Sequence, residues 1–250
     1  MSEAFRPCGL VPTYDNPATV RGVVEGLRRH LQAVIVVDDG SGSAGRRAVE
    51  ALGREGLARV VHRARNGGKG AAVKTGFAEA ERLGFSHALQ IDADGQHEVD
   101  DVPRFLAEAR EHPGALVLGK PLFDASQPRG RALARQISRF WVDVETGGSV
   151  IADPQCGFRV YPLAAARAAR ARGDHMEFDQ ELPVRMVWAG VPVRNLPTRV
   201  RYLRPEEGGV SHFDLWRDNL RITALHTRLT LTAALRGVAR LGGRPSAAMR

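Results

Sequence analysis

The chain has 250 residues, of which 43% are hydrophobic, so a full core is available and general disorder is excluded. Lysine and arginine number 36 against 28 acidic residues, and the net charge of +8 favours anionic partners such as phosphorylated ligands, membrane surfaces or nucleic acid. Two isolated cysteines, Cys8 and Cys156, make neither a disulfide framework nor a zinc site.

The first 120 residues alternate short apolar runs with segments of helical periodicity. Strands are predicted at Leu10–Val11, Val34–Val37, Arg59–His62, Leu89–Ile91 and Ala115–Leu118. Helices are predicted at Val20–Leu31, Arg46–Leu57, from Asn66–Gly70 through Leu83, and at Val102–Ala109. Such alternation predicts βαβ units and a mostly parallel sheet, with ligands at the carboxyl ends of the strands.

The pattern changes after residue 120. Helices are predicted at Arg129–Trp141 and Glu177–Trp188, a loop at Asp153–Arg159 leading into Val160–Tyr161, and an extended segment at Val191–Tyr202. Residues 213–240 read as one long helix or two short ones. We therefore expect one α/β domain over residues 1–205 and a C-terminal amphipathic helical extension over residues 206–250.

Two carboxylates and an amide follow the fourth predicted strand, in Asp92-Ala93-Asp94-Gly95-Gln96. Hard oxygen ligands of this kind suit Mg²⁺ or Mn²⁺, and a divalent ion at a strand end can hold a diphosphate. The alternative is an ordinary acidic turn, because Asp-Gly turns are common.

Other phosphate and metal motifs fail on spacing. In Asn66–Gly70, Lys69 is followed by glycine rather than Ser or Thr, and Arg63 stands where a nucleoside-triphosphatase loop needs its first glycine. A dinucleotide fingerprint needs glycine or alanine at its last position, where this sequence has Val73. Pro103 stands where a calcium loop needs its bidentate glutamate.

Five segments in this order resemble the family 2 glycosyltransferases, and among them the dolichol- and polyprenyl-phosphate sugar synthases, from about Leu10 to His212. They are Pro12-Thr13-Tyr14, Val37–Ser41, Asn66–Gly70, Asp92–Gln96 and Gln155–Arg159. The resemblance implies a GT-A fold, which is a Rossmann-like nucleotide-diphospho-sugar transferase fold. It also implies a GDP- or UDP-hexose donor, Mg²⁺ or Mn²⁺ as cofactor, and inversion at the anomeric carbon.

The resemblance assigns donor-side roles position by position. It implies that Pro12 and Tyr14 pack on the nucleobase, that Asp39 contacts the base or ribose, and that Lys69 lies near phosphate. The same resemblance places a metal ion on Asp92, Asp94 and Gln96, and further nucleotide-sugar contacts at Ala93, Lys120, Arg201, Arg204 and His212. Turn formation, loop capping and surface charge are the structural alternatives for these residues.

Acceptor-side roles follow in the same way. The resemblance implies that Asp153 and Arg159 form an acceptor loop, with Arg159 able to hold an anion by bidentate contacts. Asp179 stands where inverting members carry an acidic base. A hydroxyl acceptor needs that base, whereas a phosphate is already ionised at pH 7. Arg159 could instead pair with a structural carboxylate, and Asp179 could cap a helix.

Three positions depart from the family pattern. Asp15-Asn16 follows Tyr14 where an acidic residue usually follows a Tyr-Asn pair, and Ser211-His212 replaces a Ser-Lys pair. Lys120 stands at best in place of an arginine. These departures concern the nucleotide base and the lipid-phosphate contacts, and leave the metal motif intact.

The C-terminal segment interleaves apolar residues with arginines. Such a helix can lie on an anionic bilayer, or can pack on the catalytic domain or on a second subunit. The first residues lack an apolar signal core, and no apolar run approaches the ~18 residues of a membrane span. We expect a cytoplasmic protein, at most peripheral at the inner face of the membrane.

The leading hypothesis is an inverting, metal-dependent hexosyltransferase acting on a lipid-linked acceptor, with polyprenyl phosphate favoured. A glycolipid or secondary-metabolite hydroxyl is the alternative acceptor.

A nucleic-acid-binding protein would need no Asp92 or Asp94. Since aromatic residues are only 6% and no base-stacking signature is present, no nucleic-acid partner is expected. A sugar nucleotidyltransferase would need a glycine-rich loop after the first strand, and Pro12–Asn16 contains no glycine.

Overall fold

The computed structural model of the protein describes residues 4–123, 129–203 and 214–242. The strands are β1 (Pro7–Thr13), β2 (Val34–Asp38), β3 (Arg59–His62), β4 (His87–Gln90), β5 (Leu116–Phe123), β6 (Arg159–Pro162) and β7 (Val193–Val200). The helices are α1 (Val20–Arg28), α2 (Ser43–Arg54), α3 (Lys69–Arg82), α4 (Val102–Glu111), α5 (Arg129–Thr146), α6 (Leu163–Ala168), α7 (Phe178–Trp188) and α8 (Leu215–Gly242).

The strands form one sheet in the order β3-β2-β1-β4-β6-β5-β7. Every pairing is parallel except those of β6, which runs antiparallel to both β4 and β5. The predicted mostly parallel sheet is therefore confirmed. Because β6 is reversed, the loop that enters it reaches the same edge of the sheet as the carboxyl ends of β1, β2 and β4.

The sheet is covered on both faces, which explains its continuous apolar strands. Along β2, Ile35 and Val37 join the core cluster that includes α3, α7 and α8, whereas Val34 and Val36 join the cluster that includes α1, α2 and α4. This alternation is the two-residue period of a strand, and it places one helical layer on each face.

The C-terminal helix is part of the same core. Leu225 and Leu229 of α8 are buried in the cluster shared with α3 and α7, and the imidazole of His226 contacts Glu145 of α5 and Gln180 of α7. One long helix is therefore observed rather than two short ones, and these residues pack on the α/β domain. Among the described residues, no helix is both long enough and apolar enough to cross a membrane.

Helix ends differ from the prediction by a few residues. Helix α2 begins at Ser43 rather than Arg46, and α5 continues past Trp141 to Thr146. The short α6 at Leu163–Ala168 was not predicted, because six residues are too few to show helical periodicity.

Candidate active site

A cavity of about 850 Å³ lies at the carboxyl ends of β1, β2 and β4 and extends between α5 and α8. This is the edge of an α/β sheet where ligands are expected to bind. The predicted site residues that line it are Pro12, Tyr14, Asp39, Lys69, Asp92, Ala93, Asp94, Gln96 and Asp179. Segments far apart in sequence are thus brought into a single space.

Lys69 joins two carboxylates at the floor of this cavity. Its Nζ lies 2.8 Å from the carboxylate oxygens of Asp92 and 2.6 Å from Oδ2 of Asp179. Burial of the ammonium favours its neutral form, but the charges of Asp179 and Asp92 outweigh burial and raise the pKa of Lys69. Lys69 is therefore a fixed positive charge between the Asp92–Gln96 segment and α7.

The glycines around Lys69 allow close packing. Gly68 has φ +97°, and a Cβ there would lie 2.3 Å from Nδ1 of His175. A Cβ at Gly70 would lie 2.5 Å from Cβ of Phe178. Helix α3 therefore starts directly against the segment before α7, and this contact brings Lys69 within reach of Asp179.

Asp92 and Asp94 form a carboxylate pair with opposite pKa shifts. Burial favours the neutral form of both, but the Lys69 charge outweighs it at Asp92 and lowers that pKa. For Asp94, burial and the negative charge of Asp92 raise the pKa. Oδ1 of Asp94 accepts a hydrogen bond from the Gln96 backbone N–H at 3.0 Å, which fixes the turn.

The pair fits a divalent cation by its donor chemistry. Oδ1 of Asp92 is buried and receives no aligned hydrogen bond from the part of the chain that the structure describes, although Lys69 Nζ is nearby, so the oxygen retains acceptor capacity. In the described parts of the chain, no three His, Cys, Asp or Glu side chains are grouped as a metal site. A cation held by Asp92, Asp94 and Gln96 would therefore complete its shell with oxygens from substrate or water.

Gly157 brings the loop before β6 against Asp92. A Cβ at this position would lie 2.0 Å from Oδ2 of Asp92, so no other residue fits without moving that carboxylate. The antiparallel β6 delivers this loop to the site, since Arg159 is in register with Gln90 of β4.

The two aspartates that end β2 have structural partners. Asp38 is buried, accepts hydrogen bonds from the Ser41 N–H at 3.0 Å and pairs with Nδ1 of His62 at 2.8 Å. Although burial opposes ionisation, these hydrogen bonds lower the pKa of Asp38. Asp39 lines the cavity, but its oxygens accept from the backbone N–H of Gly67 and Gly68.

Arg159 does not reach the cavity. Its guanidinium is fully buried and donates to the backbone oxygens of Cys156, Pro154 and Asp179 and to the Tyr161 hydroxyl. The expectation that Arg159 holds an anionic acceptor is therefore wrong for this structure. Its role is to position the loop before β6 and the start of α7.

Asp153 is likewise turned inward. Both of its oxygens accept from Nη1 of Arg135 at 2.7 Å, and Oδ1 also accepts from the backbone N–H of Gln155 and Cys156. Asp153 is absent from the cavity wall, whereas its partner Arg135 lines it. The structure thus gives Asp153 a positioning role in place of the predicted acceptor-side one.

Two predicted cations lie off the wall, and two are outside the described residues. Lys120 is exposed while the next residue, Pro121, lines the cavity, because successive strand residues face opposite sides. Arg201 is also absent from the wall, and its backbone N–H donates to the Gln96 carbonyl at 3.0 Å. Arg204 and His212 lie in residues 204–213, outside the described residues.

Several cavity residues were not predicted. His97 follows the metal motif and lies near Asp92 and Asp94; burial outweighs these charges and lowers its pKa. The sequence signal that could have identified His97 as a cavity residue was its position directly after Gln96. Arg135 and Trp141 of α5 reach the cavity only through the packing of that helix, for which the sequence offers no signal.

Comparison with known proteins agrees with this architecture. An undecaprenyl-phosphate mannosyltransferase of Micrococcus luteus is 26% identical over 66% of this chain and 69% of its own. The UDP-N-acetylglucosamine–dolichyl-phosphate N-acetylglucosaminyltransferase of Methanococcus voltae is 25% identical over 63% of this chain and 70% of its own.

The fold matches solved structures. The glucosyl-3-phosphoglycerate synthase of Mycobacterium tuberculosis, in complex with Mn²⁺, uridine diphosphate and phosphoglyceric acid, superposes with a TM-score of 0.66. The match covers 97% of this chain and 81% of that one at 17% identity, so it bears on the fold, which is the predicted GT-A fold. The family model described as "Glycosyl transferase family 2" matches residues 9–169, more than half of the chain. The chain is therefore a member of glycosyltransferase family 2.

Proposed function

We propose that this glycosyltransferase transfers a hexose from a nucleotide diphosphate sugar to polyprenyl phosphate, with a divalent metal ion and with inversion at the anomeric carbon. The observation that carries the proposal is the cavity floor, where Asp92 and Asp94 stand beside the buried ammonium of Lys69. Relatives named for dolichyl and undecaprenyl phosphate support the acceptor class.

The donor diphosphate is held by opposite charge. When bound, the metal ion on Asp92, Asp94 and Gln96 would supply Lewis-acid stabilisation of the diphosphate. Lys69 adds a positive charge that is preorganised by its two carboxylate partners, so it needs little rearrangement as negative charge develops on the departing nucleotide. Pro12 and Tyr14, at the end of β1, form the wall for the nucleoside.

The transfer is a direct displacement. An oxygen of the acceptor phosphate forms a bond to the anomeric carbon on the face opposite the nucleotide. The bond from that carbon to the diphosphate breaks, and the nucleoside diphosphate leaves with the electron pair. No proton has to be removed from a phosphate acceptor at pH 7, so Asp179 is not required as a base.

A hydroxyl acceptor remains a second candidate because of one observation. Oδ1 of Asp179, in a residue that lines the cavity, is buried and receives no hydrogen bond from the described residues, with Nη1 of Arg159 3.9 Å away. Such an oxygen could accept the proton of a sugar hydroxyl. Asp179→Asn separates the two acceptors, since it abolishes transfer to a hydroxyl but leaves substantial transfer to a phosphate.

The test is a donor screen. Purified protein, Mg²⁺ or Mn²⁺ and labelled nucleotide sugars are mixed with polyprenyl phosphate, and label is followed into the organic phase. We expect transfer from one donor, lost with chelator and reduced at least 100-fold by Asp94→Ala. Asp100→Ala is the matched control, because Asp100 is an exposed aspartate that pairs with Arg29 at 3.3 Å and does not line the cavity.

Three outcomes are informative. Full activity of Asp94→Ala without added metal would overturn the metal assignment. Metal-dependent hydrolysis of a donor without lipid labelling would keep the donor site but exclude polyprenyl phosphate. Loss of activity in Asp100→Ala would show that the assay reports on folding rather than on the site.

A further inference from the structure

The cavity continues into an exposed apolar surface on α5 and α8. Ile137 and Leu231 line the cavity, yet their side chains are 53% and 63% exposed. Trp141 lines it as well and is also exposed. Beyond them, Phe140 and Leu235 are exposed on the same two helices. An apolar surface that is continuous with a polar reaction site is unusual for a purely polar substrate.

The two helices run side by side in the same direction. The ring of Trp141 lies 6.4 Å from that of His226, and one helical turn later Glu145 lies 3.5 Å from the Thr230 hydroxyl. The contacts therefore advance together along α5 and α8. Between the helices lies a groove, which we call the α5–α8 groove, with walls at Ile137, Trp141, Ile222 and Leu231.

The α5–α8 groove changes in character along its length. The first turns of α5 carry Arg131 and Arg135 on the cavity wall, and the start of α8 carries Arg217 and Arg221 together with Asp214 and Asp218. Arg135 is paired with Asp153 and Arg221 with Asp218, while the Arg131 guanidinium lies 5.0 Å over the ring of Tyr202. Later turns present Ile137, Trp141 and Leu231. With four arginines against two aspartates on this part of the wall, the groove is net cationic near the strand ends, and it is apolar away from them.

We infer that the α5–α8 groove holds the isoprenoid chain of the acceptor, with its phosphate at the cationic end beside the donor. The inference rests on the proposed function and assigns a subsite for the acceptor tail. An amphiphile with one anionic head and a long apolar tail matches the direction of the gradient. A second copy of this chain is a poorer fit, because covering these two helices would also cover the cavity wall formed by Ile137 and Leu231.

The first test compares acceptors of different length. The ratio of kcat/KM for a long polyprenyl phosphate to that for dimethylallyl phosphate is measured in the wild type, Ile137→Ser and Leu231→Ser. We expect each substitution to lower this ratio by roughly tenfold, since the chain loses contact with one large aliphatic side chain. Leu83→Ser is the matched control, because Leu83 is exposed on the turn after α3, away from the groove, and should leave the ratio unchanged.

The second test does not depend on turnover. A polyprenyl phosphate with a diazirine in its chain is photolysed with the whole protein, and the labelled peptides are identified by mass spectrometry. We expect label on α5 and α8, competed by unlabelled polyprenyl phosphate. Label confined to other elements would overturn the groove assignment, as would a ratio that neither substitution changes.

The failures of the two proposals can be told apart. If no prenyl phosphate of any length accepts sugar, the proposed function fails. If transfer occurs but is indifferent to chain length and to both substitutions, the function stands and the groove assignment is wrong. If either substitution converts a dimer to a monomer by sedimentation, the surface is a subunit interface and the inference is also wrong.

Discussion

Replacing Lys69 by methionine should lower the free energy of unfolding, because the carboxylates around it lose their positively charged partner. In Lys69→Met, Asp92 and Asp179 lose a partner that now lies 2.6–2.8 Å away. The side chains of Lys69 and Asp179 are only 13% and 6% exposed, so the stranded charge cannot be fully hydrated. Breaking a buried pair typically costs about 3–5 kcal/mol of unfolding free energy. Because Asp92 is partly exposed, the loss here should lie at the lower end, about 3 kcal/mol.

The measurement is thermal and urea unfolding followed by circular dichroism, without metal. A loss of about 3 kcal/mol corresponds to a fall in Tm of roughly 6–12 °C for a chain of this size. The double variant Lys69→Met with Asp179→Asn should recover part of the loss, because the second change removes one of the two stranded charges.

The same helix provides a matched control. Lys74 pairs with Asp174 at the same 2.6 Å, but the two side chains are 36% and 58% exposed. Lys74→Met should cost at most about 1 kcal/mol, as exposed pairs do. If Lys69→Met and Lys74→Met lose equal stability, or if Asp179→Asn gives no recovery, the reasoning from burial is refuted.

Other substitutions and reagents test the remaining features. Gly157→Ala should lower kcat/KM at least tenfold with a small change in Tm, because its Cβ displaces the Asp92 carboxylate; an unchanged kcat/KM would contradict this. Gly22→Ala, whose Cβ meets nothing within 4 Å, should instead stabilise α1 by about 0.5–1 kcal/mol in urea unfolding. Burial raises the pKa of Cys8 and Cys156 from 9.0 to about 12, so mass spectrometry should find both thiols unlabelled by iodoacetamide at pH 8 until urea unfolds the chain. Because the fold favours the neutral thiols, their contribution to stability is complete below pH 9 and is lost as the pH rises toward 12.

The strand-end side of the cavity was largely predictable from the sequence. Alternating strands and helices fix which segments lie at the carboxyl edge of a parallel sheet, so Tyr14, Asp39 and Asp92 could be placed together without coordinates, whereas Lys69 was placed near them only by the family resemblance. What the sequence could not supply is the pairing of Lys69. The contact of Lys69 with Asp179 depends on how α3 packs against the start of α7, and the small residues Gly68 and Gly70 reveal that packing only once the partner is known.

The roles of Arg159, Lys120 and the α5 residues were predicted less well, for two physical reasons. A buried guanidinium such as that of Arg159 looks the same in sequence as an exposed one, and only the three-dimensional fold shows that carbonyl oxygens occupy its donors. The strand position of Lys120 depends on a one-residue register, and a shift of one residue reverses the face. Helical residues such as Arg135 reach the site through tertiary packing that no local pattern encodes.

The reversed strand β6 has a consequence for how the protein assembles. Gln90 pairs with Arg159, so the contact that brings Gly157 beside Asp92 closes a loop of nearly seventy residues that includes β5 and α5. Strands β1, β2 and β3 pair over much shorter separations and can form first, because loop closure over fewer residues loses less chain entropy. The edge formed by β1, β2 and β3 is therefore expected to take shape while the ribosome is still making the segment before β6, and the carboxylates after β4 remain open to solvent until Pro162 has emerged.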